Sequence, residues 1–582
     1  MQTDSACALQ QLREQLVEAA KRALSAPFAG ASESGRLISA FATSFVNWAS
    51  SAAPNQQSQW WSTLAQFLQG ARDAEQVASS PASQLQCASA RAAVLGAFSE
   101  RAGENRRAPS EEIIGVLQDQ LLGTMQDDVW SITHSLAHQA AAQAAQQMLQ
   151  LRLRLQLSHH LQTSSSSLPE SGAATLLERK TVEYICAAFT GDLALQYVRL
   201  LGAVLQTPTH PRVLGGRIAL ALAAILASVE SATPDDLASA CAACTSKLTR
   251  EDYDAALSTA LDALRLILTD SSAAAGAAAA AAAAARRRDA RGLLLTLQHL
   301  LQRGPEGTLQ MAQRQWMALL GTVNLYIDTL PLVLLSPIMH LIQNVVSTRA
   351  MLLRLADVSL LLTIISKLIG PRSRLRQAHE EEAFVPSSAI FRSINTTLGA
   401  VCRLRNDLVS CALPHLMVVL IRLVSLFGQA RAEVAPAHLH KVTQNSPSWL
   451  DILQSPLDER DAQSMARLLT TLTTKSTLAN GTGSATSKKR KRSAPSKSTS
   501  LAQAFSKYAP HVLAAHIRSL IHSATYVSAR CRTELKPGLY ALCEMMGTHE
   551  RDSLVLSDMD QAQRSILKTI WGDWESQRYR GE

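Results

Sequence analysis

The chain reads as all-α: an irregular α-solenoid of stacked helical hairpins, HEAT-like or ARM-like, with disordered inserts. Three observations predict this. Apolar residues make up 47% of the 582 positions, while Gly (26) and Pro (20) are sparse and Ala and Leu abundant, a balance that favours helix. Apolar positions recur every three or four residues. Leu413, Leu416, Leu420, Leu423 and Phe427 fall on one helical stripe in this way. Runs of alternating β-branched residues are nearly absent. Many helices joined by short breaks suggest helix pairs that stack on one another. No fixed repeat period is present, so the architecture rests on helix succession rather than on a repeat consensus.

The elements follow in order. Residues 1–270 read as an N-terminal helical array. The first two dozen residues, with Asp4, Glu14 and Glu18, read as an amphipathic helix rather than a secretory or transit segment. SSSSLPESG (164–172) is a loop by composition. Helical patterning resumes over 175–206 and 216–232, and Pro234, Asp235 and Asp236 signal the start of another helix. Residues 271–292 form an Ala/Arg low-complexity insert. Alanine is the best helix former, but a homopolymer offers no side chain to dock on a core. From Leu293 to residue 475 a second array is expected, with helices near 293–303, 308–328, 331–346, 348–369, 388–408, 411–430 and 461–475. Residues 476–500 read as a disordered basic linker and 501–582 as a C-terminal helical block.

Charge is concentrated. Six of the net nine positive charges sit between residues 488 and 497. Lys488, Lys489, Arg490, Lys491 and Arg492 lie among Ser, Gly, Thr and Pro, the context of an extended nuclear localisation signal that an importin reads. The rest of the chain is nearly neutral, so its pI does not describe a broad basic face. Nine scattered cysteines fit a reducing compartment rather than a disulfide framework. The most apolar stretches are too short or too polar to span a bilayer, and no membrane partner is expected.

Candidate chemistry is thin. Cys241 and Cys244 form a CxxC, but zinc needs a second ligand pair at suitable spacing, and none is present. On a helix the two are simply neighbours on one face. Glu380, Glu381 and Glu382 follow a basic run and read as solvated charge. His159, His160, His438 and His440 read as surface or loop residues. No catalytic, metal or cofactor motif occurs: no GxSxG, Walker loop, dinucleotide glycine pattern or HExxH. Three basic clusters have the chemistry to meet RNA phosphates: Arg286–Arg288 with Arg291; Arg372, Arg374 and Arg376; and Arg518, Arg530, Arg532 and Lys536. Ordinary solvated arginine is the alternative for each.

The C-terminal block carries patterns of its own. Lys507-Tyr508-Ala509-Pro510 enters a helix, and Pro510 suits its first turn because a missing N–H goes unused there. Pro537-Gly538 reads as a helix break, with Tyr540 and Leu542 opening the next helix. Trp571, Trp574 and Tyr579 would pin the last helix to its neighbours. These residues, together with Lys568, Asp573 and Gly581, resemble the C-terminal domain of the unhealthy-ribosome-biogenesis protein of the second type, the Urb-two or Npa-two family. Arg403–Leu408, Leu413–Leu416 and Ala466–Leu469 are similar in placement and character. The resemblance spans roughly 385–582.

That resemblance implies a non-enzymatic scaffold for assembly of the 60S ribosomal subunit and pre-rRNA processing, located in the nucleus and nucleolus. It implies other pre-60S assembly factors as partners, including a helical-repeat companion and a DEAD-box RNA helicase, and pre-ribosomal RNA. No cofactor is expected. The rival from another class is a HEAT-array nuclear transport adaptor.

Overall fold

The computed structural model describes residues 125–138, 141–161, 176–178, 181–182, 191–206, 214–228, 235–269, 277–371, 387–431, 445–473, 501–557 and 559–580. Nineteen α-helices and a sheet of two two-residue strands make up the regular structure of these residues, apart from one short 3-10 turn. No helix among them is long and apolar enough to cross a membrane. The chain divides into two compact units, residues 1–260 with 303–305, and residues 261–302 with 306–582.

The first unit contains α1 (Met125–Ala137), α2 (Ala141–Leu161), α3 (Gly191–Val204), α4 (Gly215–Ala227), α5 (Asp235–Ser246) and the start of α6 (Arg250–Thr269). Helix α2 packs on α1 and α3, and α3 packs on α4 and α5. Tyr197 of α3 is fully buried and donates its hydroxyl to the Leu176 carbonyl at 2.7 Å. Helix α4 begins against α6, where the Gly215 N–H donates to Asp252 Oδ1 at 3.0 Å. A Cβ at Gly215 would sit 1.9 Å from the Asp252 carbonyl oxygen, so this crossing requires glycine.

The second unit holds the remaining helices: α7 (Ala277–Gln302), α8 (Leu309–Tyr326), α9 (Leu332–Thr348), α10 (Leu355–Leu368), α11 (Ser387–Leu404), α12 (Asn406–Val409), α13 (Leu413–Ser425), α14 (Glu459–Thr471), α15 (Leu501–Phe505), α16 (Ala509–Ile521), α17 (Ala529–Met545), α18 (Thr548–Ser557) and α19 (Gln561–Arg580). Each long helix packs chiefly on the next but one. The contacts α7–α9–α11–α14–α17 make a first row, and α8–α10–α13–α16–α19 a second. Strand β1 (Gln429–Ala430) pairs antiparallel with β2 (Thr525–Tyr526), Gln429 opposite Tyr526, and ties the chain after α13 to the chain after α16.

The helical stripe read from α13 is the core-facing stripe: Leu413, Leu416, Leu420, Leu423 and Phe427 are all buried. Each such side chain contributes about 1.5–3 kcal/mol by leaving water. Phe427 meets Phe391 of α11 edge to face, with ring centroids 5.3 Å apart. Trp449 joins them from the loop before α14. Its indole N–H donates to the Leu368 carbonyl at 2.9 Å, and its own carbonyl accepts from Ser387 Oγ at 2.8 Å.

Three expectations are corrected. Helix α7 starts at Ala277, not Leu293, so the end of the Ala/Arg insert is helical. Ala290 is fully buried and Leu293, Leu294 and Leu297 follow it into the core, so alanine and arginine propensity extends a helix that is docked downstream. The segment 348–369 breaks after Thr348 into a 3-10 turn, Ala350–Leu352, before α10. Pro537-Gly538 does not break the chain. Both lie inside the continuous helix α17, as Pro337 lies inside α9.

Candidate functional site

Gly538 explains itself through packing. A Cβ there would stand 2.8 Å from Ala466 Cα and 3.1 Å from Leu469 Cβ of α14. The glycine lets two first-row helices approach closely, and no left-handed conformation is involved. Pro537 faces solvent beside it.

The start of α14 carries a densely connected polar cluster of the second unit. Asp458 Oδ1 accepts from the Asp461 N–H at 2.9 Å, and Asp461 Oδ2 accepts from the Asp458 N–H at 2.9 Å, a reciprocal cap. Asp461 is wholly buried. Its Oδ1 accepts Arg392 Nε at 2.8 Å and Ser388 Oγ at 2.5 Å, both from α11. The bond from Asp461 holds the Arg392 guanidinium above its usual range, against the opposing effect of burial. Arg530 of α17 then reaches Glu459 at 3.0 Å. Cys531 Sγ approaches the Leu457 carbonyl at 3.8 Å, and burial pushes its thiol up. One N-terminus thus joins three helices of the first row. Sequence reading missed it, although Asp458 with Asp461 three residues later is a legible helix-start signal.

The basic cluster foreseen near the C-terminus does not stand as four free cations. Arg530 pairs with Glu459, and Lys536 pairs with Asp573 of α19 at 3.0 Å, which raises the lysine above its ordinary value. Arg532 is exposed on α17, and Arg518 is exposed in the last turn of α16. Two of the four therefore fasten α17 to its neighbours. Arg372, Arg374 and Arg376, and the signal Lys488, Lys489, Arg490, Lys491 and Arg492, lie outside the described residues, as do Glu380–Glu382, His438 and His440.

The remaining C-terminal pattern residues are packing residues. Lys507 Nζ lies 5.5 Å above the Tyr508 ring, and Tyr508 tilts against Phe505 at 5.9 Å. Pro510 is buried in the first turn of α16. Six residues further along that helix, His516 is buried with no partner on Nδ1. Burial, and then Arg532, push its imidazole down to about 4. The Tyr540 hydroxyl is buried without a partner, and burial raises it. Trp571 and Trp574 of α19 meet edge to face at 4.9 Å, with Arg551 over the first ring and Arg578 over the second. Tyr579 lies in α19, and Gly581 lies outside the described residues.

Nucleophile chemistry finds little footing in this arrangement. Cys241 and Cys244 are buried neighbours on α5, and burial pushes both thiols up to about 12; Cys402 and Cys543 behave alike. A cavity between α10, α11 and α13 measures about 10 Å³ and is lined by Val358, Leu361, Leu398, Val401, Cys402 and Leu416. That is no more than one water requires.

No curated protein matches the chain. Residues 336–582 match the model described as the Urb2/Npa2 family, beginning within α9, well before residue 385. From residue 336 onward the chain is therefore similar to the Urb2/Npa2 family.

Proposed function

We propose that this protein is a non-enzymatic scaffold that acts in the nucleolus on precursors of the 60S subunit and in pre-rRNA processing. The family match over α9 to the C-terminus carries the reading. The two-row succession of helices supports it. Helices that pack on their next-but-one neighbours fit a stack of hairpins, and such a stack would display long continuous surfaces to several partners at once. The polar groups of the second unit support it too, because the best connected of them spend their hydrogen bonds joining helix to helix. The partners in this reading are pre-60S assembly factors, among them a helical-repeat companion and a DEAD-box RNA helicase. Pre-ribosomal RNA is held in register with them. Lys488–Arg492 supplies the nuclear address through an importin.

Depletion of the protein from cells tests this. The expected result is loss of large-subunit precursors and of 60S subunits, with 40S subunits spared. Unchanged precursors after full depletion would overturn the reading. A tagged copy that shuttles with a small GTPase and leaves the nucleolus would favour a transport adaptor instead.

A further inference from the structure

We propose that His134 and His138, at the end of α1, form a chelating site for one divalent transition-metal ion of the copper, nickel and zinc class. The site lies in the first unit and is independent of the scaffold reading.

Of the 15 histidines, only these two stand four residues apart. That spacing sets two side chains one above the other on a helix face. The turn between them is helical to its last residue, because the His138 N–H donates to the His134 carbonyl at 3.1 Å. The inner face of α1 holds the turn in place. Val129, Ile132 and Ser135 are buried, and Ser135 Oγ donates to Gln147 Oε1 of α2 at 2.9 Å. The opposite face carries three stacked rings. Trp130, 67% exposed, lies 5.1 Å from the His134 ring with the planes 25° apart. His134 in turn lies 4.1 Å from the His138 ring with the planes 29° apart. Both imidazoles are exposed to solvent.

One hydrogen bond prepares the pair. His138 Nδ1 sits 2.9 Å from the His134 carbonyl oxygen. That oxygen can only accept, so Nδ1 carries the proton and the lone pair of the neutral ring is on Nε2. A main-chain carbonyl on the other ring nitrogen is the outer support that metal-binding imidazoles ordinarily have. The His134 ring is positioned by its two stacking neighbours. It turns about its Cβ–Cγ bond in a broad torsional well, so a rotation aims its own nitrogen at an ion on His138 Nε2. Bonds of about 2.0–2.1 Å from metal to imidazole put two donor nitrogens about 3 Å apart on one ion. Rings stacked at 4.1 Å are within reach of that separation. Two imidazoles leave the other positions to water. Such a set suits Cu²⁺ and Ni²⁺, which accept tetragonal nitrogen–oxygen coordination, better than a structural zinc with four protein ligands. It does not suit Mg²⁺, which takes oxygen ligands. An ion bound to both rings ties position 134 to position 138 and closes the last turn of α1.

The test titrates the full chain, first stripped with a chelator, with Cu²⁺, Ni²⁺ and Zn²⁺, and with Mg²⁺ as the control. Calorimetry reads stoichiometry and affinity, and electron spin echo spectroscopy of the Cu²⁺ form counts the imidazoles on the ion. The expected result is a tightest phase of one Cu²⁺ per chain, weaker Ni²⁺ and Zn²⁺, no Mg²⁺, and two imidazoles in the spin-echo spectrum. His134→Ala and His138→Ala should each weaken that phase about tenfold or more, because the chelate is lost. His511→Ala, at an exposed histidine of α16, should bind as the parent does. Trp130→Phe should keep the affinity and lose part of the fluorescence quenching by Cu²⁺, since Trp130 stacks directly on His134. Both histidines are exposed, so circular dichroism should show an unchanged fold, and the spin-echo count on the parent needs no variant. Equal affinity in the parent and the two alanine variants would overturn the proposal. So would a spectrum with one imidazole or none, or the lack of a one-to-one phase.

Discussion

The two rows of the second unit are built from the same kind of helix and end up with opposite surfaces. First-row neighbours are fastened side chain to side chain. Ser393 reaches Gln343, Arg392 and Ser388 reach Asp461, and Arg530 reaches Glu459, while Gly538 lets α17 and α14 touch through their backbones. Acids and bases occur together along α14 and α17. At two joints of the second row the cations turn to main-chain carbonyls. Lys367 donates to Asn324 and Arg422 to Ser366, which leaves their charge uncancelled. The same row exposes apolar side chains. The lesson is that one row spends its polar groups inside the fold, and the other leaves both charge and apolar area unspent at its surface.

The largest effect that sharpens this contrast is at the first-row seam. Gly538→Val should cost about 3 kcal/mol, because the added atoms meet backbone that cannot yield. Urea denaturation measures it, and a change below about 0.5 kcal/mol would mean that the seam is loose. Next comes Asp461→Ala, which removes a cap and the acceptor of Arg392 and Ser388 together. It should cost about 2 kcal/mol, less than a fully buried pair because Arg392 is partly exposed.

A pH effect, read per pH unit, comes third. The His516 imidazole has an ordinary value of 6.5 and is pushed down to about 4 in the fold. As pH falls through that window, the unfolded chain binds a proton that the folded chain refuses. Stability is therefore full above 6.5 and is lost between 6.5 and 4, at up to about 1.4 kcal/mol per pH unit. His516→Leu should flatten that slope in melts taken across the range. The smallest change has the opposite sign. A Cβ at Gly321, on second-row helix α8, meets nothing within 4 Å, so Gly321→Ala should stabilise by about 0.5–1 kcal/mol. Two glycines in two rows, one forbidding a methyl group and one welcoming it, would break the comparison if they behaved alike.

Local signals made much of this legible. The stripe on α13 was read correctly because helical periodicity records burial directly. Pro510 was placed at the start of α16 because a helix N-terminus tolerates a missing N–H. Pro537-Gly538 was misread as a break because its cause is Ala466, some seventy residues away, and nothing local announces a backbone crossing. The ion pairs of the C-terminal cations were illegible for the same reason. Glu459 and Asp573, which hold Arg530 and Lys536, are distant in sequence. The bonds that join Gln313 to the Met351 carbonyl and to Arg354 left no sequence signal either, since nothing local brings α10 beside α8.

Site-specific photocrosslinking in cells puts the division of labour between the rows to the most direct trial. A photoreactive residue is placed at Met351, in the turn that leads into second-row helix α10, or at Arg467 in the first row, and crosslinked partners are identified from pre-ribosomal particles. The account predicts abundant protein crosslinks from position 351 and a sparse yield from position 467. Abundant partners at 467 with none at 351 would contradict it.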